Sequence, residues 1–413
     1  MGYQQGLSGL AGASNALDVI GNNIANANTV GFKSSTAQFS DMYANSIATS
    51  VNTQIGIGTA LASVQQQFGQ GTINTTNSSL DVAINGNGFF QMSNNGTITY
   101  TRDGTFQRDK NGYIVNSQGL NLMGYAADKN GVINTAQTVP LQAPTTNIAP
   151  TATTKITGQF NLNSQDTVPT KTPFDATDTT TYNYSTSIQV YDSLGGSQAV
   201  NMYFVKTAAG TWEAYAGVQG GTTNDLGTIQ FDSSGAISST TTGSPATPTA
   251  ALGQFQFTVP NTDGSATPQT LTLDLTGTTQ YGGKDGVNNL AQDGYASGTL
   301  TTFTIGTDGK LTGNYSNGQT AVLGQIALAN FNNPNGLVNI GGNQYAETAA
   351  SGVPQISVPG STNHGTLQGS ALENSNVDLT SQLVNLITAQ RNYQANAQTI
   401  KTQQTVDQTL INL

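Results

Sequence analysis

The sequence has 413 residues, of which only 8% are charged and 48 are glycine, and this composition favours strands and tight turns over a large helical core. Its formal charge of −10 makes nucleic acid and anionic lipid poor partners, because an acidic surface repels phosphate. The absence of cysteine excludes disulfides, thiol chemistry and cysteine-bound metals, and the sequence has no apolar stretch of about 18 residues with which to insert into a membrane.

The N-terminal segment predicts a helix with one seam that faces a partner. The seam residues follow one another at the alternating spacings of a heptad: Tyr3, Leu7, Leu10, Ser14, Leu17, Gly21 and Ile24. Each glycine in this segment, such as Gly6 or Gly9, makes helix formation less favourable by up to about 1 kcal/mol. We therefore expect this helix to be marginal or unfolded on its own.

The C-terminal segment predicts a longer helix, which Asn376 or Asp378 can cap and which neither Gly nor Pro interrupts after residue 371. Its seam keeps the same spacing, with Gln390 at its one polar position: Leu379, Leu383, Leu386, Tyr393, Ala397 and Ile400, then Val406, Leu410 and Leu413 in a displaced register. Packing of the two end helices against each other is the simplest use for both seams. A helix pair that merely covers a globular domain is the alternative.

The sequence between the helices predicts strands and turns. Residues 80–84 alternate and turn at 85–88 into Phe89 and Phe90, and hairpins are predicted at 100–106 and 109–115, with the same turn chemistry at 128–133. A shift towards Pro, Thr and Ala near Pro140 indicates a linker into another unit.

A second group of strands follows this linker. Residues 188–191 and 200–205 flank an Asp-Ser-Leu-Gly-Gly turn and predict a hairpin, and further strands are predicted at four places: 212–215, 255–259, 271–275 and, as one buried strand, 321–329. Residues 238–249 are rich in Thr, Ser and Pro and predict an exposed loop or insertion.

No pattern in the sequence predicts a catalytic, metal or cofactor site. His364 is the single histidine and lies in a loop context without a serine motif beside it, so a structural or surface role is the better interpretation. The Asp-x-Asn-Gly stretches at Asp109 and Asp128 lack the further carboxylates of a calcium loop and are explained by turn chemistry.

The segment after the first helix resembles the signature shared by flagellar rod and hook proteins. Residues 17–33 read LDVIGNNIANANTVGFK, in which an Asn-rich helix end leads into a Thr-x-Gly-Phe-Lys turn. Asn can terminate a helix, Gly31 permits a reversal of the chain and Phe32 can anchor the turn. Later segments resemble the hook protein family in particular: residues 80–84, 88–90, 205–207, 313–317, 322–326, 328–331, 372–379 and 389–401.

This resemblance implies a mainly β protein with terminal α-helices, in which two β-rich domains of barrel or sandwich type are nested between helices that form a coiled-coil layer. The expected domains are an N-terminal helix (1–33) in an inner domain, a connecting segment (34–70), a middle β domain (71–148 and 296–365), an outer β domain (149–295), and a linker with the C-terminal helix of the inner domain (366–413).

The resemblance also implies that copies of the chain assemble into a tube, a flexible universal joint that transmits motor torque and encloses an export channel. The residues expected at contacts between subunits are Leu7, Leu10, Leu17, Ile20, Asn22, Asn23, Ile24, Asn26, Gly31, Phe32, Leu379, Leu383, Leu386, Tyr393, Ile400, Val406 and Leu410. Flagellar rod, hook-cap and hook–filament junction proteins and the flagellar export apparatus are the expected further partners.

The resemblance implies export through the flagellum's own secretion system. Residues 1–20 fit a route without a cleaved signal peptide, because they have neither its basic start nor its apolar run. The expected location is then the basal body and hook, outside the cell. A distal rod subunit is the alternative within the same apparatus. An extracellular β-rich adhesin or carbohydrate-binding protein is the alternative from another class, although it leaves both helix seams unexplained, and an enzyme such as a polysaccharide hydrolase is the last.

Overall fold

The computed structural model describes residues 2–42, 56–128, 131–144, 146–242, 247–248 and 251–411. The helices are α1 (Gly2–Ala25) and α2 (Leu379–Ile411), with a 3-10 turn at Pro334–Gly336. The strands up to residue 218 are β1 (Ser35–Met42), β2 (Gly58–Gln66), β3 (Ile73–Thr75), β4 (Val82–Asn85), β5 (Phe89–Asn94), β6 (Thr97–Thr101), β7 (Gln107–Arg108), β8 (Ile114–Val115), β9 (Asn121–Ala126), β10 (Val139–Pro140), β11 (Lys155–Asn163), β12 (Tyr184–Tyr191), β13 (Ser197–Ala208) and β14 (Thr211–Val218). The strands after it are β15 (Thr223–Phe231), β16 (Ile237–Thr242), β17 (Thr247–Pro248), β18 (Gln254–Val259), β19 (Gln269–Asp274), β20 (Thr279–Tyr281), β21 (Gly286–Gln292), β22 (Leu300–Ile305), β23 (Lys310–Tyr315), β24 (Thr320–Ile326), β25 (Leu328–Asn330), β26 (Val338–Gly341), β27 (Gln344–Ala346), β28 (Gln355–Ser357), β29 (Thr366–Gly369) and β30 (Ala371–Glu373).

The architecture is mainly β with a helix towards each end, which confirms the fold class predicted from the sequence. The two helices pack against each other, and α1 also packs against the two-stranded β1–β2 ribbon. Among the helices that the structure describes, none is both long and apolar enough to cross a bilayer.

Contacts within the chain define two compact units: residues 1–145, 301–314 and 320–413 form the first, and residues 146–300 and 315–319 form the second. The bounds of the inner, middle and outer domains given above stay a prediction.

The first unit is built around a large sheet whose main path runs β22-β23-β24-β9-β5-β6-β27-β26. Smaller pairs join distant parts of the chain: β3 pairs with β30, and β4 pairs with β29. Buried side chains on these strands, among them Ile84, Phe90, Leu328 and Leu367, form its main core. These pairs therefore join the last strands before α2 to the first strands of the main β region.

The second unit consists of two sheets that share one core. The first is an antiparallel meander in the order β12-β13-β14-β15-β16-β17, and the second runs β18-β19-β11-β20 with β21 also on β11. Alternate side chains on β11 and β18 are buried, as expected for strands with one face on a core. Phe160, Phe204, Trp212 and Phe257 from both sheets meet in this core.

Several predicted hairpins are present. Strands β7 and β8 pair across residues 109–113, where the Asp109 carboxylate accepts from the Asn111 and Tyr113 amides. Strands β12 and β13 pair across the Asp-Ser-Leu-Gly-Gly turn, and the predicted strands at 212–215, 255–259 and 271–275 coincide with β14, β18 and β19. Of the turn at 128–133, Lys129 and Asn130 lie outside the described residues, and so do 243–246, 249 and 250 in and beside the Thr/Ser/Pro-rich loop.

Two strand predictions are wrong. Residues 100–106 do not form a hairpin, because after β6 the chain turns towards β4, where the Val82 amide donates to the Gly104 carbonyl at 3.0 Å. Residues 321–329 are two strands, since the chain bends at Ala327 and β25 leaves β24 to pair with β5 and β28. A continuous apolar run cannot reveal such a bend, because residues 324–329 on both sides of it are buried.

Candidate assembly surface

The two terminal helices approach each other through small residues. A Cβ atom placed on Gly6 would lie 3.0 Å from Cγ1 of Ile400, and one placed on Gly9 would lie 2.6 Å from Oδ1 of Asn396. Nearer the other end of α1, the side-chain nitrogen of Asn23 donates to Oε1 of Gln382 at 3.5 Å. The helices therefore run antiparallel, and glycine is what allows them to come so close.

This packing leaves several large apolar side chains of both helices exposed. The exposed fraction is 48% for Leu7, 50% for Leu383 and 66% for Leu410. Ala389, by contrast, is the buried hydrophobic residue on the described part of α2. A single copy of the chain thus leaves large apolar side chains uncovered on both helices, among polar ones.

The residues predicted at subunit contacts fall into three groups in the single chain. The exposed ones are Leu7, Asn22, Leu379, Leu383, Tyr393, Val406 and Leu410. The half-buried ones are Leu10, Leu17, Ile20, Ile24, Asn26, Leu386 and Ile400, and the buried ones are Asn23, Gly31 and Phe32. Their role in assembly stays a prediction, and Leu413 of the predicted seam lies outside the described residues.

Asn23 joins α1 to the β1–β2 ribbon. Its side-chain oxygen accepts from the Ser35 amide at 2.8 Å, and its side-chain nitrogen donates to the Ser35 carbonyl at 2.7 Å. The carboxamide therefore pairs with the start of β1 as a neighbouring strand would, and it is almost completely buried. This pairing fixes the direction in which the chain leaves the helix.

The turn after α1 passes close to the main sheet. Gly31 has a φ of +68°, a conformation that side chains disfavour, and a Cβ there would lie 2.6 Å from the Asp103 amide nitrogen. Its own amide donates to the Glu373 carbonyl at 2.8 Å. Glycine is thus required at this position both by the backbone angle and by the neighbouring backbone.

A buried ion cluster follows directly on this turn. Nζ of Lys33 lies 2.7 Å from Oε1 of Glu373, and Nη1 of Arg102 lies 3.1 Å from Oε2 of the same carboxylate. The Gly71 amide also donates to Oε1 at 2.8 Å, and Lys33 donates to the Gly69 carbonyl at 2.9 Å. Every charge in the cluster is at most 3% exposed, so the carboxylate is held by two cations and a backbone amide.

Burial in the cluster disfavours the charged forms of its two cations. Burial lowers the pKa of Lys33, the Arg102 charge lowers it further, and Glu373 opposes both effects. Burial likewise lowers the pKa of Arg102, against the opposing effect of Glu373. Lys33 ends the Thr-x-Gly-Phe-Lys turn, Arg102 directly follows β6, and Glu373 is the last residue of β30. The cluster therefore binds these three parts of the chain together.

The joint before α2 is held by two side chains with different tasks. Asn376 accepts from the Ser34 amide at 2.7 Å and donates to the Gln67 carbonyl at 2.7 Å, which ties the joint to the base of the β1–β2 ribbon. Of the two predicted caps, it is Asp378 that caps α2, because its carboxylate accepts from the Thr380 amide at 2.9 Å. Hydrogen bonds from Ser381 and Thr380 lower the pKa of Asp378.

No motif in the sequence points to Arg102 or Glu373 as members of a buried cluster. Glu373 lies in the segment 372–379, which resembles the hook family, and charged side chains are rare in this chain. A lone glutamate inside a polar, Asn-rich segment is the signal that could have pointed to a buried ion pair.

His364 stabilises a loop. One ring nitrogen lies 2.9 Å from the Gln355 carbonyl oxygen, and the other lies 3.4 Å from Oγ of Ser361. The Ser361 hydroxyl donates to the Val358 carbonyl at 2.7 Å. Within the described ranges, no group of three or more Asp, Glu or His side chains is placed to hold a metal ion.

Four families match successive parts of the chain. Residues 4–33 match the flagella basal body rod protein family, and residues 83–157 match the flagellar hook protein FlgE/F/G D1 domain. Residues 161–295 match the flagellar basal body protein FlaE D2 domain, and residues 368–413 match the flagellar basal body rod FlgEFG protein C-terminal family.

Full-length relatives carry the same description. The chain is 43% identical to the flagellar hook protein FlgE of Salmonella typhimurium over 424 residues, covering 100% of both chains. It is 42% identical to the one of Escherichia coli over 423 residues, also covering 100% of both. It is 32% identical to the one of Treponema pallidum over 456 residues, covering 99% of this chain and 98% of the other. In fold it resembles the crystal structure of the Helicobacter pylori flagellar hook protein FlgE2, at 16% identity and a TM-score of 0.50, over 73% of this chain and 100% of that one.

Proposed function

The chain belongs to the flagellar hook protein family, and we propose that its copies polymerise through their terminal helices into the tube of the hook. The observation that carries this proposal is the helical surface described above, where Leu7, Leu383 and Leu410 are exposed on a helix pair that has closed its own small-residue interface. Large apolar side chains that are exposed together on one element are typical of a protein interface.

The terminal helices form the inner layer around the channel in this proposal. Both helices are almost free of charge, carrying only Asp18, Arg391, Lys401 and Asp407, so their burial among other copies removes few charges from water. The buried ion cluster supports the same arrangement, because it fixes the two helix ends to one β unit. The domain bounds and contact residues predicted from the sequence are part of this proposal.

The hook subunit is favoured over the distal rod subunit. Identity to hook proteins of 42–43% extends over the whole chain, and the match includes the β region between the helices. In this proposal the tube bends as a universal joint, and the chain has no catalytic role. Its site of action is the hook outside the cell, reached through the flagellar export apparatus, with rod, hook-cap and hook–filament junction proteins as neighbours.

Electron microscopy of a strain that lacks this gene tests the proposal. We expect motor bases without hooks, and curved tubes after complementation with the full chain but not with a chain lacking residues 1–33. Straight tubes would favour the rod subunit instead. Normal curved hooks in the deletion strain would refute the proposal and favour the adhesin alternative.

A further inference from the structure

The last turns of α2 carry apolar side chains that the chain itself leaves uncovered. The exposed fraction is 47% for Val406, 66% for Leu410 and 84% for Ile411. The contacts with α1 run from Gln382, which pairs with Asn23, to Asn396 and Ile400, which face Gly9 and Gly6 near the start of α1. Val406, Leu410 and Ile411, which we call the α2 knob, therefore extend past these contacts.

The same helix pair has an apolar groove without an occupant. It measures about 390 Å³ and lies where α1 and α2 meet the β1–β2 ribbon. Small side chains and one ring line most of it: Gly12, Ala13, Ala16, Phe39, Ala389 and Ala395. A hole formed by small residues accepts a large side chain, as in knobs-into-holes packing.

A copy of the chain cannot fill its own groove with its own knob. Ala395 in the groove and Leu410 in the knob lie 15 residues apart on one continuous helix. At 1.5 Å per residue this is a distance of about 22 Å. The knob that enters a groove must therefore come from another copy.

Charge adds a second complementarity between the knob and the groove. Arg391 precedes the groove residue Ala395 by four positions, so the two lie on one side of α2. Asp407 lies three and four positions before Leu410 and Ile411. Neither Arg391 nor Asp407 has an ion-pair partner in the described part of the chain, and their charges are opposite.

We propose that the knob of one copy inserts into the groove of the next, with Asp407 paired to Arg391 across the contact. This inference rests on the proposed function and names the contact through which it operates. Knob and groove are different surfaces, so the contact is head-to-tail and generates an open helical polymer unless its rotation happens to close a ring.

Charge reversal on the full-length purified chain tests this pairing. The variants are Arg391→Asp, Asp407→Arg and the double variant, with Lys110→Asp as control, since Lys110 is exposed on a turn of the main sheet. We expect each single reversal to raise the critical concentration for tube formation about tenfold or more, as for like charges at an interface. The double variant should return to within about twofold of the unmodified chain, and the control should not change.

A variant that fills the groove tests the groove as the docking site. Ala395 is exposed in the single chain, so Ala395→Phe should leave monomer unfolding unchanged while it blocks tube formation. Single reversals that polymerise like the unmodified chain, or a double variant without rescue, would overturn the pairing. Normal tubes from Ala395→Phe would overturn the groove as the docking site.

If the unmodified chain forms no tubes under any condition, the proposed function itself fails.

Discussion

Glu373 is the residue on which the junction between the helices and the β region depends. Its carboxylate accepts from Lys33, Arg102 and the Gly71 amide, and its carbonyl accepts from Gly31. A buried carboxylate shared by two cations is weak evidence for net stability, because desolvation offsets much of the attraction. Removing the one anion, however, leaves two buried cations without compensation.

Replacing Glu373 with Gln should therefore destabilise the chain strongly. We expect the free energy of unfolding to fall by about 3–5 kcal/mol, the usual effect of breaking a buried ion pair from one side. Urea unfolding of the monomer measures it. Lys310→Met is the control, since it breaks the Asp308–Lys310 pair, in which both side chains are 47% exposed, and should cost at most about 1 kcal/mol. Equal effects of the two variants would contradict the role given to the cluster.

Asp378 should make the first turn of α2 sensitive to acid. Its folded-state pKa is lowered, so the stability it contributes is present above the unfolded value of 3.8 and is lost as pH falls through the lowered pKa. Amide hydrogen exchange at Thr380 and Ser381 measures this loss, which we expect to be severalfold. Asp378→Asn keeps a capping side chain that does not titrate, so this step should be absent in the variant. An unchanged acid response in Asp378→Asn would argue against the cap.

Much of the junction could be anticipated at the level of residues, because the Asn-rich segment and the Gly-Phe-Lys turn are continuous in the sequence. The residues that contact this turn could not be anticipated from the sequence. Arg102 and Glu373 lie 271 positions apart, and the pairing of β3 with β30 that places Glu373 beside Lys33 leaves no periodic signal.

The helix pair shows what heptad spacing can and cannot predict. The spacing predicted both helices, and α1 coincides with the predicted segment. The face that α1 turns to α2 inside the chain is the one with Gly6 and Gly9, whereas Tyr3 and Leu7 at the start of the predicted seam are exposed. Apolar spacing finds the most hydrophobic face of a helix, but close packing of two helices uses the smallest side chains.

Gly9 should therefore be intolerant of a large side chain in a way that Gly21 is not. A Cβ on Gly9 would meet the Asn396 side chain within 3 Å, whereas nothing lies within 4 Å of one on Gly21. We expect Gly9→Leu to destabilise the α1–α2 contact by about 1–3 kcal/mol through overpacking. Gly21→Leu should be neutral or stabilising by up to about 1 kcal/mol, because leucine favours helix.

Amide exchange of α1 in the monomer compares the two variants, which carry the same substitution in the same helix. Equal protection of α1 in Gly9→Leu and Gly21→Leu would mean that the small-residue interface does not hold the helices together.

At the scale of the whole molecule, the two units differ in how much they depend on other copies. The second unit encloses its core between two sheets, with Trp212 and Phe204 fully buried. The first unit carries the uncovered helices and the β1–β2 ribbon, on which Phe39, Leu61 and Val64 are also exposed. Apart from its packing on α1, this ribbon has no third strand to support it, and two-stranded ribbons are marginal in water. We therefore expect the terminal helices and the ribbon to gain most of their stability on assembly.

Thiol labelling tests most directly the claim that the helical surface becomes the contact between copies. The chain has no cysteine, so Leu383→Cys introduces a single thiol at an exposed position on α2, and Val168→Cys introduces one at an exposed position of the second unit. Both variants would be treated with a 5-kDa polyethylene glycol maleimide, once as monomers and once as assembled tubes. We predict that the thiol at position 383 reacts in the monomer and is protected in the tube, while the thiol at 168 reacts in both. A thiol at 383 that stays as reactive in the tube as in the monomer would contradict the account.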